Sequence, residues 1–93
     1  MVLILIYGPK FEKCFLKLPL NIQKKTVKKL ENFRENPFTN SLRVEKLNPK
    51  NKELWSFRVD REYRVVFSLN KNTAKLYFVG HHNKIYNYSI FKA

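Results

Sequence analysis

The residues with chemistry to offer lie in the second half of the chain. Arg58 and Arg64 stand in the neighbouring runs ELWSFRVD and EYRVVFSL, and the paired His81 and His82 are followed by Asn83 and Tyr86. Metal-free cleavage of RNA needs few more parts than these. A base takes the proton from a 2′-OH, the freed oxygen attacks the adjacent phosphorus, and an acid protonates the departing 5′ oxygen. Histidine suits the proton work because its ordinary pKa lies near working pH. Arginine suits the phosphoryl oxygens because its planar fork holds two of them. Tyrosine can orient a phosphate or stack a base. The general base is open among Glu45, Asp60, Glu62, a lysine, Tyr86 and the other histidine. Taken singly, each residue has an ordinary reading. A histidine at a strand end is often merely solvated, Arg58 can pair with Asp60 or Glu62, and Tyr86 can pack the tail. The combination on one sheet is what points to a phosphodiester.

Local patterning says how these residues are held. Alternation puts Trp55, Phe57 and Val59 on one face and Ser56, Arg58 and Asp60 on the other. In the next run Tyr63, Val65, Phe67 and Leu69 share a face opposite Glu62, Arg64, Val66 and Ser68. A tight turn at Asp60-Arg61-Glu62 makes these a hairpin with Arg58 beside Arg64. Like charges opposed across strands are unfavourable, so an anion between them is the natural complement. A third strand follows the break at NKNT and carries the histidines at its end.

Upstream, Val2 to Tyr7 is a continuous apolar run closed by Gly8-Pro9, which predicts a central strand buried on both faces. Phe11, Cys14, Phe15 and Leu18 have the spacing of one helical face, with Pro9 at its start and Pro19 at its end. A second helix is predicted from Leu20 or Asn21 to about Glu35, with Ile22, Val27, Leu30 and Phe33 inward and Thr26 nearby. Its Lys24, Lys25, Lys28 and Lys29 read as a solvated face, the alternative being an electrostatic footprint for RNA. Asn36-Pro37 ends it. A short strand is expected within Leu42 to Leu47, then a basic loop bringing Lys46, Lys50 and Lys52 to the lip of the hairpin. The expected fold is α+β: an N-terminal strand and a two-helix hairpin packed on one face of a small antiparallel sheet, as a single domain over residues 1–93. The other face is left for Arg58, Arg64 and the histidines.

Nineteen Lys and Arg against seven Asp and Glu give a formal net charge of +12, which points to a polyanionic partner. The sequence has one cysteine, Cys14, and glycine only at positions 8 and 80. An internal disulfide, a phosphate-binding glycine loop and a dinucleotide fingerprint are therefore excluded. There is no HExxH or CxxC, so neither a metal nor another cofactor is expected. The apolar start is too short for a signal peptide or a membrane span, which fits a cytoplasmic protein without membrane contact.

WSFRVDREYRVVF followed by LYFVGHHNKIY resembles the RelE/ParE toxins of type II toxin–antitoxin systems. The pattern is a strand with an Arg (Arg58), a tight turn, then Tyr63-Arg64-Val65-Val66-Phe67, and a last strand ending Gly80-His81-His82-Asn83-Lys84-Ile85-Tyr86. The order of elements matches as well. The resemblance implies a ribonuclease cutting mRNA in the ribosomal A site, and the GHHNKIY ending is nearest the YafQ-like branch. It implies His82 as acid–base group, Arg64 as phosphate stabiliser, Tyr86 as substrate contact and Arg58 as a further basic position. Some relatives place a glutamate before the hairpin as base, for which Glu45 is the candidate here. RNA contacts are expected from Lys46, Lys50, Lys52, Arg61 and His81. A cognate antitoxin is implied as partner. The rival readings are a ParE-like inhibitor of DNA gyrase and a non-enzymatic RNA-binding protein of the same fold.

Overall fold

The computed structural model describes residues 2–47 and 54–85. In chain order the elements are β1 (Ile4–Tyr7), α1 (Pro9–Leu16), α2 (Leu20–Glu35), a 3-10 turn at Asn40–Leu42, β2 (Glu45–Leu47), β3 (Leu54–Arg58), β4 (Tyr63–Asn70), β5 (Thr73–His81) and α3 (His82–Ile85). Pro9 opens α1 at a position where its missing N–H costs nothing. Asn36 closes α2 in an extended conformation, as a residue before proline must.

One five-stranded sheet has the order β1-β5-β4-β3-β2. It is mixed rather than wholly antiparallel, because β1 lies parallel to β5, pairing from Ile4↔Thr73 to Tyr7↔Leu76. The N-terminal run is therefore an edge strand and not a central one. Leu3 is turned into the core, while Ile4, Ile6 and Tyr7 stay exposed. A continuous apolar run means burial on both faces only when the chain supplies two covers, and this one supplies one.

Helices α1 and α2 cover one face of the sheet. Phe33 of α2 is fully buried against Phe57 and Phe67, with ring centroids 4.7 and 4.6 Å away. Thr26 and not Val27 belongs to the buried stripe Ile22, Thr26, Leu30 and Phe33. At 100° per residue Val27 falls well off that line and is half exposed. Thr26 tolerates burial because its hydroxyl donates to the Ile22 carbonyl at 2.8 Å. On α1, Phe11 is buried, whereas Cys14 and Phe15 are partly so.

On the opposite face Leu47, Leu54, Val66 and Phe78 form a second, smaller cluster. A bulge shapes both faces: Phe67 pairs with Leu76 and Val66 with Phe78, so Tyr77 is the extra residue of β5. The inward series Ala74, Leu76 is thereby resumed by Val79, an odd step instead of an even one. Among the described residues no helix is long and apolar enough to cross a membrane.

Candidate functional site

Register, more than sequence proximity, builds the open face. Arg58 pairs with Arg64 across β3 and β4, and Arg64 with Gly80 across β4 and β5. The next row runs Glu45, Ser56, Val66 and Phe78 from β2 to β5. Directly opposed residues project to the same side of a sheet. Glu45, Ser56, Arg58 and Arg64 thus share one patch, away from the helices.

Arg64 is held firmly there. Its Nε donates to Ser56 Oγ at 2.8 Å, and its Nη2 to the Arg43 carbonyl at 2.8 Å and the Ser56 carbonyl at 3.3 Å. These three acceptors are neutral oxygens, and they orient the guanidinium. Arg43 reaches Arg64 because its backbone is left-handed, with φ 48°. That conformation is uncommon for a residue with a Cβ. Arg58 bends the other way, its Nε donating to the Asp60 carbonyl at 3.2 Å. The expected pairing of Arg58 with Asp60 is thus to main chain rather than to carboxylate.

The Asp60 carboxylate shapes the hairpin turn. Its Oδ1 accepts the N–H groups of Glu62 and Tyr63 at 2.8 and 2.9 Å, and Lys25 Nζ lies 3.6 Å from Oδ2. Partial burial pushes the Asp60 pKa up. The two N–H bonds and Lys25 outweigh it and hold the carboxyl below its usual value of 3.8.

The histidines sit at one end of this hairpin, their rings stacked 4.8 Å apart. The bulge sends His81 to the helix side, edge-on to Tyr63, its cross-strand partner, at 5.6 Å. The expectation that both histidines join the arginine face therefore fails for His81. β5 also stops there, and His82 begins α3. Hydrogen bonding distinguishes the two rings. His81 Nε2 faces Glu62 Oε2 at 3.3 Å, and its Nδ1 accepts the Asn83 N–H at 3.2 Å, so both nitrogens are engaged. His82 Nδ1 lies 3.2 Å from the Glu62 carbonyl, which can only accept. That contact requires a proton on Nδ1. Among the described residues Nε2 has no partner, and His82 is exposed.

The remaining candidates divide. Lys46 lies on the other side of β2 from Glu45, its Nζ 5.8 Å from the Trp55 ring. Arg61 is exposed at the hairpin turn. Tyr86, Lys50 and Lys52 lie outside the described residues. Sequence reading missed Ser56 and Arg43 as Arg64 ligands. The alternation that exposed Arg58 also put Ser56 on its face, so Ser56 was findable. A main-chain carbonyl has no sequence signature. Among the described residues no group of three His, Cys, Asp or Glu is placed to hold a metal ion.

Comparison with known proteins agrees with this architecture. The archaeal RelE in its RelE–RelB complex from Pyrococcus horikoshii OT3 superposes with a TM-score of 0.73 at 18% identity, covering 90% of this chain and 99% of that one. YafQ from E. coli strain BL21(DE3) gives 0.67 at 15%, covering 90% and 98%. The YoeB dimer from Staphylococcus aureus gives 0.67 at 20%, covering 88% and 99%. At such identities these likenesses establish the fold alone. No curated protein matches the sequence. Residues 10–82, however, match the sequence model of the HigB-like toxins, described as RelE-like toxin of type II toxin–antitoxin system HigB. That match takes in both helices and the whole Arg58–His82 region, and on it the chain belongs to the HigB-like family of RelE-like toxins.

Proposed function

We propose that this toxin is a ribosome-dependent endoribonuclease that cuts mRNA in the A site and so inhibits translation. The observation that carries the reading is the patch of Arg64, Arg58, Ser56 and Glu45 on the open face, with Arg64 fixed by three hydrogen bonds. A guanidinium already oriented loses little entropy on meeting a phosphate, and its charge opposes the negative charge gathering on the phosphoryl oxygens. Glu45 is a carboxylate on that face, across from Ser56, and serves as the base for the 2′-OH. His82, whose Nε2 is open to solvent, enters the step with a proton on Nε2 as well as on Nδ1 and gives the Nε2 proton to the leaving 5′ oxygen, while Glu45 keeps the proton taken from the 2′-OH. His82 lies two residues beyond Gly80, the cross-strand partner of Arg64. Tyr86 orients the substrate, and Lys50, Lys52, Arg61 and His81 contact RNA, whereas Lys46 is turned to Trp55 on the other face. The scheme uses side chains only and calls on no metal.

A cognate antitoxin is the second partner. The solved relatives include a RelE–RelB complex and a YoeB–YefM complex. In this chain Ile4 is 57% and Ile6 48% exposed, an apolar strip on the strand that ends the sheet among the described residues. An acidic partner that adds a strand there would meet both the edge and the net positive charge.

Primer extension on a reporter mRNA in a translating extract tests the nuclease reading. Discrete ribosome-dependent cuts are expected with wild type, reduced at least about a hundredfold in folded Arg64→Ala and His82→Ala. Undiminished cutting by Arg64→Ala would sink the proposed chemistry. Intact mRNA with blocked DNA supercoiling would identify a gyrase poison instead.

A further inference from the structure

β1 runs alongside β5 only as far as Leu76. Beyond it, among the described residues, β5 has no strand on that side and faces α1, and a cleft of about 400 Å³ opens between them. Cys14, Leu18 and Val79 supply apolar wall, and Tyr63 and His81 supply aromatic rings. Around these stand Lys10, Lys13 and Lys17 from the α1 segment and Lys84 from α3. Among the described residues that line the cleft none is Asp or Glu. Ammonium groups gathered around one hollow repel each other, and an anion placed among them removes that cost.

Two kinds of polyanion carry such charge, RNA and an acidic peptide. The position of Gly80 favours RNA. Gly80 lines the cleft and is also the cross-strand partner of Arg64. With no side chain it puts nothing between the open face and the lysines. A single strand lying on the arginine patch can therefore continue past Gly80 into the cleft. There, phosphates meet the lysines and a base meets the Tyr63 and His81 rings.

We infer that the cleft between α1 and the distal half of β5 is a second RNA site, gripping phosphodiesters that flank the scissile one through Lys10, Lys13, Lys17 and Lys84. The inference rests on the RNA-cutting reading, yet it is tested by binding and not by cleavage.

The probe is a short fluorescent 2′-O-methyl RNA, which lacks the nucleophile and cannot be cut by 2′-OH attack. Anisotropy over a range of salt compares wild type, Lys10→Gln/Lys13→Gln/Lys17→Gln, and an equally charged control on α2, Lys24→Gln/Lys28→Gln/Lys29→Gln. The cleft variant should bind about tenfold or more weakly, and its slope of log affinity against log salt should fall by about 2, since each single-strand phosphate contact adds about 0.7. The α2 control should stay near wild type. Equal losses in both variants would mean that net charge alone acts, and would overturn the site. Loss of polyglutamate binding with RNA binding unchanged would overturn it in favour of an acidic peptide. Should the triple variant melt early, the single Lys13→Gln substitution reads the same quantity as a slope change of about 0.7. Cleft-dependent binding by a wild type that cuts no mRNA would uphold the site and remove only the nuclease reading.

Discussion

At the scale of single residues, the site depends on how Arg64 is oriented. Ser56 is wholly buried, and its hydroxyl accepts the Arg64 Nε. Ser56→Ala keeps the volume nearly unchanged and frees the guanidinium to turn. Cleavage should drop about tenfold, the equivalent of about 1.4 kcal/mol, with melting temperature almost unchanged. Steady-state cutting of a reporter mRNA beside a thermal melt checks both halves; unaltered cutting would show that Ser56 does not position Arg64. Asp60 supplies a second residue-scale prediction. Burial opposes its ionisation, but the Glu62 and Tyr63 N–H groups and Lys25 prevail, so its folded pKa lies below 3.8. A depressed carboxyl contributes stability that is fully present above the unfolded pKa and is lost as pH falls through the folded one. Asp60→Asn keeps an oxygen acceptor for the turn and removes the charge. The variant should be less stable by about 1 kcal/mol at neutral pH, and the gap should close below about pH 3.8. Urea melts at several pH values measure it, and a gap independent of pH would refute the linkage.

Elements decide which residues meet. The hairpin of β3 and β4 was legible because everything that fixes it is local. Alternation assigns faces, the Asp60 turn sets the register, and Arg58↔Arg64 follows. The β5 bulge was not legible, since LYFVG is apolar on both faces and alternation cannot show where one residue is skipped. Tyr77 is that residue, so deleting it should leave every other β5 side chain on its present face. The deletion variant is expected to fold with a small change in melting temperature, losing the 3.3 Å contact between the Tyr77 and Ser68 hydroxyls. Inserting Ala between Phe78 and Val79 should instead reverse the strand end, expel the buried Val79 and abolish cooperative unfolding. Circular dichroism melts separate the outcomes, and equal tolerance of both changes would refute the bulge.

For the whole molecule, the governing facts are the +12 charge and a sheet with an apolar edge. Such an edge invites strand addition unless something covers it. Ile4→Lys/Ile6→Lys changes two exposed side chains and spares the buried Leu3. The variant should fold, match wild type in the proposed mRNA-cutting assay and bind the cognate antitoxin at least about tenfold more weakly, as expected when apolar anchors are lost from an interface. Calorimetric titration with the antitoxin tests it, and unchanged affinity would place the interface elsewhere.

The sequence by itself determined the α+β class, the two helices, the hairpin and the opposition of Arg58 and Arg64, because each rests on periodicity or a short turn; the family was legible through the resemblance of WSFRVDREYRVVF and LYFVGHHNKIY to known toxins. Only the tertiary structure decided that β1 lies at an edge, that Glu45 faces the arginines while Lys46 faces Trp55, and that His81 turns to Tyr63 on the helix side while His82 opens α3. Each of these depends on register between strands that a tight turn does not join, or on one skipped residue. The energy that fixes them is burial across distant segments, which no local pattern in the chain records.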